Sequence, residues 1–122
     1  MTPTQRTLAW LRQQGYTVAV VEHWNSFINR RQDLWNFGDL LAFKPGEPVL
    51  IVQATSGSHT SSRVHKIVAN EHAKRWIECG NRIQVVGWRP LTAYKKDGTK
   101  AKRPRWAEKV VEIELEHFKE NK

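Results

Sequence analysis

An α/β fold, with a mixed sheet flanked by helices, is predicted by three features of this 122-residue chain. The run Val49-Leu50-Ile51-Val52 is apolar without alternation, as in a central strand covered on both faces. A stretch of helical periodicity separates it from a second apolar run at 83–88, and a crossover of that length suits a parallel pair of strands. From Glu108 to Phe118, Val111, Ile113 and Leu115 alternate with Glu112, Glu114 and Glu116, the period of a half-exposed strand at a sheet edge.

The elements follow in order. Within Thr4 to Gln14, Leu8, Trp10 and Leu11 recur at helical spacing, Pro3 suits the first turn and Gly15 the stop. Tyr16 to Trp24, rich in Val, predicts a first strand that ends at the turn residues Asn25 and Ser26. Phe37 to Lys44 predicts a second, and Pro45-Gly46 turns the chain into a third, Val49 to Ala54, in the middle of the sheet. These three are expected to form an antiparallel meander. The hydroxyls between Ser56 and Ser62 offer N-caps for one long helix with an apolar stripe of Val64, Ile67, Val68, Ala73, Trp76 and Ile77, stopped by Gly80. Ile83 to Trp88 predicts the fourth strand. Pro90 to Arg105, broken by Gly98 and Pro104, predicts a mobile loop.

The length suits one domain, residues 1–122, with one sizeable core. Lys and Arg exceed Asp and Glu by 8, and a pI near 10 makes the surface field positive at physiological pH, which points to an anionic partner. The loop from 95 to 105 holds Lys95, Lys96, Lys100, Lys102, Arg103 and Arg105 against Asp97, so over half of the excess charge gathers there and favours phosphate binding. No apolar run is long enough to cross a bilayer. Cys79 is the only cysteine, which excludes an internal disulfide and a Cys-based zinc cluster. With no secretory signal in Met1 to Leu11, the expected setting is the cytoplasm.

Two polar residues stand where strands would favour apolar ones: Asp39 in Phe37-Gly38-Asp39-Leu40-Leu41 and Gln53 in Leu50-Ile51-Val52-Gln53-Ala54-Thr55. A half-buried carboxylate costs free energy unless it is paired or bound to a metal, and a tight turn between the two strands brings Asp39 beside Gln53. Glu22 on the preceding strand and Arg63 and Lys66 on the following helix are expected at the same end of the sheet. Carboxylates, an amide oxygen and cations that converge in this way suit phosphodiester chemistry. Mg²⁺ or Mn²⁺ takes hard oxygen ligands, and Asp39, the Gln53 amide oxygen, the Ala54 carbonyl and Glu22 supply them. Lys66 would stabilise the developing charge, with Arg63 on phosphate.

At these residues the chain resembles the PD-(D/E)XK nuclease superfamily, and most closely its small phage-associated, Holliday junction resolvase-like members. The stretch Arg31-Gln32-Asp33-Leu34-Trp35 before the Asp strand, and Gln53-Ala54-Thr55 at the end of the next, carry the likeness. It implies an αβββαβ restriction-endonuclease-like core from Thr4 to Trp88, with an extra C-terminal strand. It makes Asp39 the motif Asp and Gln53 the replacement for Glu, and it leaves Thr55 where Lys is usual, with Lys66 as the relocated cation and Arg63 behind it. It further implies a metal-dependent endonuclease that acts on DNA as a homodimer in a bacterial or phage-infected cell. Since Gln53 brings one charge fewer than Glu, a catalytically inactive, nucleic-acid-binding descendant is the alternative.

Plainer roles compete. Asp39 can pair with Arg31 or Arg63, Glu22 can form a surface ion pair, and Asp33 is set aside as a turn cap or a partner of Arg30. His59 and His65 are read as exposed or core residues rather than bases. Trp10, Trp24, Trp76 and Trp88 are assigned to the core, Trp106 to packing on the sheet edge, and Trp35 to the loop before Asp39.

Overall fold

A computed structural model describes residues 1–119. Helix α1 (Pro3–Gln13) begins with a capping box: Thr2 Oγ1 accepts from the Gln5 N–H while Gln5 Oε1 accepts from the Thr2 N–H. Strand β1 (Thr17–Val20) follows, then a short ribbon of β2 (His23–Asn25) and β3 (Arg30–Gln32), then β4 (Leu40–Phe43) and β5 (Leu50–Ser56). A 3-10 turn at Gly57–His59 leads into α2 (Thr60–Val68) and α3 (Glu71–Glu78). The chain ends with β6 (Arg82–Leu91), β7 (Arg105–Ile113) and the short α4 (Leu115–Lys119).

Five strands form one mixed sheet in the order β1-β4-β5-β6-β7. The β5–β6 pair is parallel, and β1–β4, β4–β5 and β6–β7 are antiparallel. From Leu50 onward the unalternating apolar run lies in the middle of the sheet, as expected, and β5 is buried from Leu50 to Thr55, while Val49, expected as the strand's first residue, is exposed ahead of it. Its side chains still alternate in the face they serve. Leu50, Val52 and Ala54 pack with Leu40, Ala42, Val86 and Trp88 beneath Leu11 of α1. Ile51 packs with Phe37, Ile83, Val85 and Ile113 beneath Ile67 of α2, Ala73 of α3 and Phe118 of α4.

Several expected boundaries are corrected. The single helix is two, because Asn70 stops α2 and caps α3: its Oδ1 accepts from the His72 and Ala73 N–H groups, and its Nδ2 donates to the Trp35 carbonyl. The first strand ends at Val20, where the Val21 and Glu22 N–H groups both donate to the Asp39 carbonyl and the chain turns away into the ribbon. Trp24, assigned to the core, is exposed on that ribbon. The last strand starts at Arg105 and stops at Ile113, because Phe118 turns back on α4 into the core. Residues expected as a mobile loop instead close the β6–β7 hairpin, through a Tyr94–Lys100 bridge and a turn in which the Gly98 N–H donates to the Lys95 carbonyl.

Gly87 on β6 permits the approach of the 3-10 turn, since a Cβ there would overlap Thr60 Oγ1 and lie 3.1 Å from Gly57 Cα. At the opposite end of the sheet, Arg82 donates two hydrogen bonds to Glu112 and one to the Tyr16 hydroxyl, joining β6, β7 and the start of β1. Gly87→Ala is expected to cost about 1–3 kcal/mol through overpacking. The check is urea unfolding, with a lower midpoint at unchanged slope.

Candidate metal centre

Asp39 lies just before β4 and is 3% exposed. Its position follows from the sheet: the Asp39 N–H donates to the Val52 carbonyl at 2.9 Å, extending the β4–β5 ladder by one bond. Beyond that point the strands part, and the side chain takes over the ladder's work. Asp39 Oδ2 accepts from the Ala54 N–H at 2.8 Å and from Gln53 Nε2 at 2.8 Å. The proximity of Asp39 to Gln53 inferred from the sequence is therefore observed. Because a strand residue sends its N–H and C=O to the same edge, the Ala54 carbonyl leaves β5 on this side as well.

Two further carboxylates converge here. Glu22, just past β1, and Asp33, just past β3, place oxygens with one of Asp39 so that all lie within 4.8 Å of one another. Asp33, set aside from sequence, is thus part of the centre, and its Oδ2 also accepts from Gln53 Nε2 at 3.3 Å. The loop that holds it is fixed by the Leu34–Gly38 bridge and by Trp35 and Asn36, both with positive φ. Trp35 stacks on Phe37 and tilts against Trp76, while remaining half exposed.

Burial, then the hydrogen bond and charge of Asp33, and the charge of Glu22 push the Asp39 carboxyl up from its ordinary 3.8 to about 8, against the downward pull of the Ala54 N–H. Three carboxylates with one buried member call for a proton or a cation between them. Gln53 Oε1 is buried and has no hydrogen-bond partner among the described residues. Gln53 turns Nε2, not Oε1, toward Asp33 and Asp39, so the hard donors that face one another are the three carboxylate oxygens, a set that Mg²⁺ or Mn²⁺ takes, and a half-turn of the amide would bring Oε1 to them.

Cations stand above this floor. Lys66 Nζ lies 3.7 Å from Asp33 Oδ2, and Arg63 Nε is buried without a partner among the described residues. Both project from α2 into a cleft of about 630 Å³ that is also lined by Arg30, Arg31, His59 and Thr4. Arg31 reaches Glu22 at 3.9 Å, and Asp39 has no ion pair with Arg31 or Arg63. His59 Nδ1 is 2.7 Å from Ser56 Oγ, which holds its ring at the rim. Thr4 brings the first turn of α1 there, the positive end of that helix.

Lys95, Lys96, Lys100, Lys102, Arg103 and Arg105 do not line this cleft. They sit on the β6–β7 arm, which continues past Trp88, the partner of Ser56, at the same end of the sheet as the carboxylates. Lys100 and Lys102 border a smaller cleft of about 340 Å³ there. No helix among the described residues is long and apolar enough to cross a membrane. No family model, curated protein or solved structure matches the chain.

Two outcomes follow. In EDTA, the stability that Asp39 contributes is full below pH 3.8 and lost as pH rises through about 8. The melting temperature should therefore fall from pH 6 to 8.5, and Asp39→Asn, which stays neutral, should flatten that slope. At pH 8, Mn²⁺ at a hundred times its dissociation constant should stabilise the native state by about 2.7 kcal/mol, read as a higher melting temperature. Asp39→Ala and Asp33→Ala should remove the increment, and Gln53→Glu should enlarge it by adding charge.

Proposed function

We propose that the protein is a metal-dependent endonuclease that hydrolyses DNA phosphodiester bonds on a PD-(D/E)XK, restriction-endonuclease-like core. The observation that carries this reading is the convergence of the carboxylates of Glu22, Asp33 and Asp39, with the Gln53 amide group against the latter two. Those residues and the Ala54 carbonyl would hold Mg²⁺ or Mn²⁺. Such an ion, when bound, supplies a water of lowered pKa and polarises a phosphate oxygen.

The chain's own residues do the rest. Asp39, fixed by two hydrogen bonds from β5, sets the point at which the reacting phosphate is aligned. Gln53 offers a donor that satisfies the carboxylates and an acceptor free to ligate, and a half-turn of the amide exchanges them. Lys66 and Arg63 meet the nonbridging oxygens, where negative charge grows as the water oxygen bonds to phosphorus and the leaving P–O bond breaks. His59, hydrogen-bonded to Ser56 at the rim, would return a proton to the leaving oxygen. The basic β6–β7 arm extends the phosphate track beyond the cleft.

A second reading, binding without cleavage, draws on the Gln53 amide group, which already bridges Asp33 and Asp39 as a donor. The test is cleavage of labelled duplex, single-stranded, flap and four-way-junction DNA in Mg²⁺ and Mn²⁺. The expected result is metal-dependent cutting that is abolished in Asp39→Ala and lowered on the order of 10²-fold in Lys66→Ala, the cost of losing one charge-stabilising group. Retained affinity with no cleavage in either metal would establish the binding module instead.

A further inference from the structure

The β2–β3 ribbon is not part of the main sheet; among the described residues its two strands pair only with each other. A free two-stranded ribbon is marginal in water, and this one spends apolar surface on solvent. Phe27 at its tip is 97% exposed, Trp24 57% and Ile28 46%. The tip is nonetheless shaped. The Phe27 N–H donates to Asn25 Oδ1, Asn25 Nδ2 donates to Gln32 Oε1, and Asn29 takes the left-handed conformation with φ 57°.

The surroundings decide what such a tip is for. Residues 23–32 contain no acid, and Arg30 and Arg31 follow the tip directly. Arg31 stands opposite Trp24 across the ribbon, so a guanidinium and an indole share one face. Ile28, Arg30, Arg31 and Gln32 line the same cleft as Asp39, which makes the ribbon one wall of the metal centre. Whatever fills the cleft at the carboxylates continues along a wall that is cationic at its base and aromatic at its tip. Cations that track phosphates beside rings that stack on bases are the elements of single-strand recognition, and apolar tips also wedge open base steps.

We infer that the β2–β3 ribbon is a base-stacking wedge. Phe27 stacks on an unpaired or unstacked base while Arg30 and Arg31 hold the flanking phosphates. The substrate class is therefore a strand with an open base step beside the scissile phosphate, such as a flap, a branch or a single strand, rather than continuous duplex. This rests on the nucleic-acid reading above for what enters the cleft, and not on the chain being able to cut it.

The test reads binding in EDTA, where metal-dependent cleavage plays no part. Fluorescence anisotropy and 2-aminopurine emission are followed on a single strand, a flap and a continuous duplex, with the fluorescent base at the branch. Phe27→Ala should weaken flap and single-strand binding by about 5- to 160-fold, the worth of one stacked base, and abolish the emission change. It should leave duplex binding within about twofold, since phosphate contacts dominate there. Phe27→Trp should restore both readouts. Wild-type affinity of Phe27→Ala for the flap, an equal loss on duplex, or a fall in mass by light scattering, which would mark the tip as a contact between two copies, would each overturn the inference. A wild type that binds the flap through Phe27 but cuts nothing upholds the wedge and defeats the nuclease; one that cuts and whose Phe27→Ala form still binds normally does the reverse.

Discussion

One oxygen, Asp39 Oδ2, takes two hydrogen bonds from β5, and the arrangement of the candidate site depends on them. The β4–β5 ladder ends one bond beyond Leu40, and without this carboxylate the Ala54 N–H would face a widening gap in the middle of the sheet. The same residue uses its backbone in both directions, donating to Val52 and accepting from Val21 and Glu22. Three strands are thus registered at one position, and the chain that leaves it on either side carries Glu22 and Asp33. Burying a carboxylate costs free energy; the donors from β5 offset part of it, and the remainder shows in the raised pKa of Asp39. The result is a centre that is held in shape and short of positive charge at its floor.

That shortage organises the cleft. Lys66 reaches in from α2 as far as Asp33, while Arg63, Arg30 and Arg31 stand around the rim. Lys66 and Arg31 pair directly with Asp33 and Glu22, and a phosphate held by a divalent ion has the charge distribution to sit between the other cations and the acidic floor. The α2–α3 corner takes part indirectly. Asn70 ends one helix, begins the next and donates to the Trp35 carbonyl, so the break in the helix and the loop bearing Asp33 are one construction.

Much of this was legible in the sequence because periodicity reports burial. The uninterrupted apolar run at 49–52 placed the central strand, the distance to the next run required a parallel crossover, and Asp39 and Gln53 stood out as polar residues in apolar strands. Lys66 was legible as a cation on the helix after β5, three residues from Arg63 on one face, and the family resemblance supplied its expected role. Asp33 was not, because its place depends on a ribbon whose strands have three residues each, too short for a pattern of period two to register. Asp33 read as a turn cap or a partner of Arg30, and the pairing of β3 with β2 brings it to the carboxylates. Trp24 was assigned to the core for the same reason: hydrophobicity indicates burial only when the strand belongs to the main sheet. The division of the long helix at Asn70 lay in the phase of its apolar residues: at about 100° per residue Val64, Ile67 and Val68 face roughly 180° away from Ala73, Trp76 and Ile77, so one straight helix would not bury both sets.

The sheet's far edge has a consequence of its own. Strand β7 occupies that edge for nine residues, and an open edge of that length is a template on which another β-strand can add. In the antiparallel register centred on β7, two copies would set Lys109 directly against Lys109, a like-charge juxtaposition that disfavours the pairing. Lys109, midway along β7, thus guards the longest exposed backbone edge against self-pairing in that register.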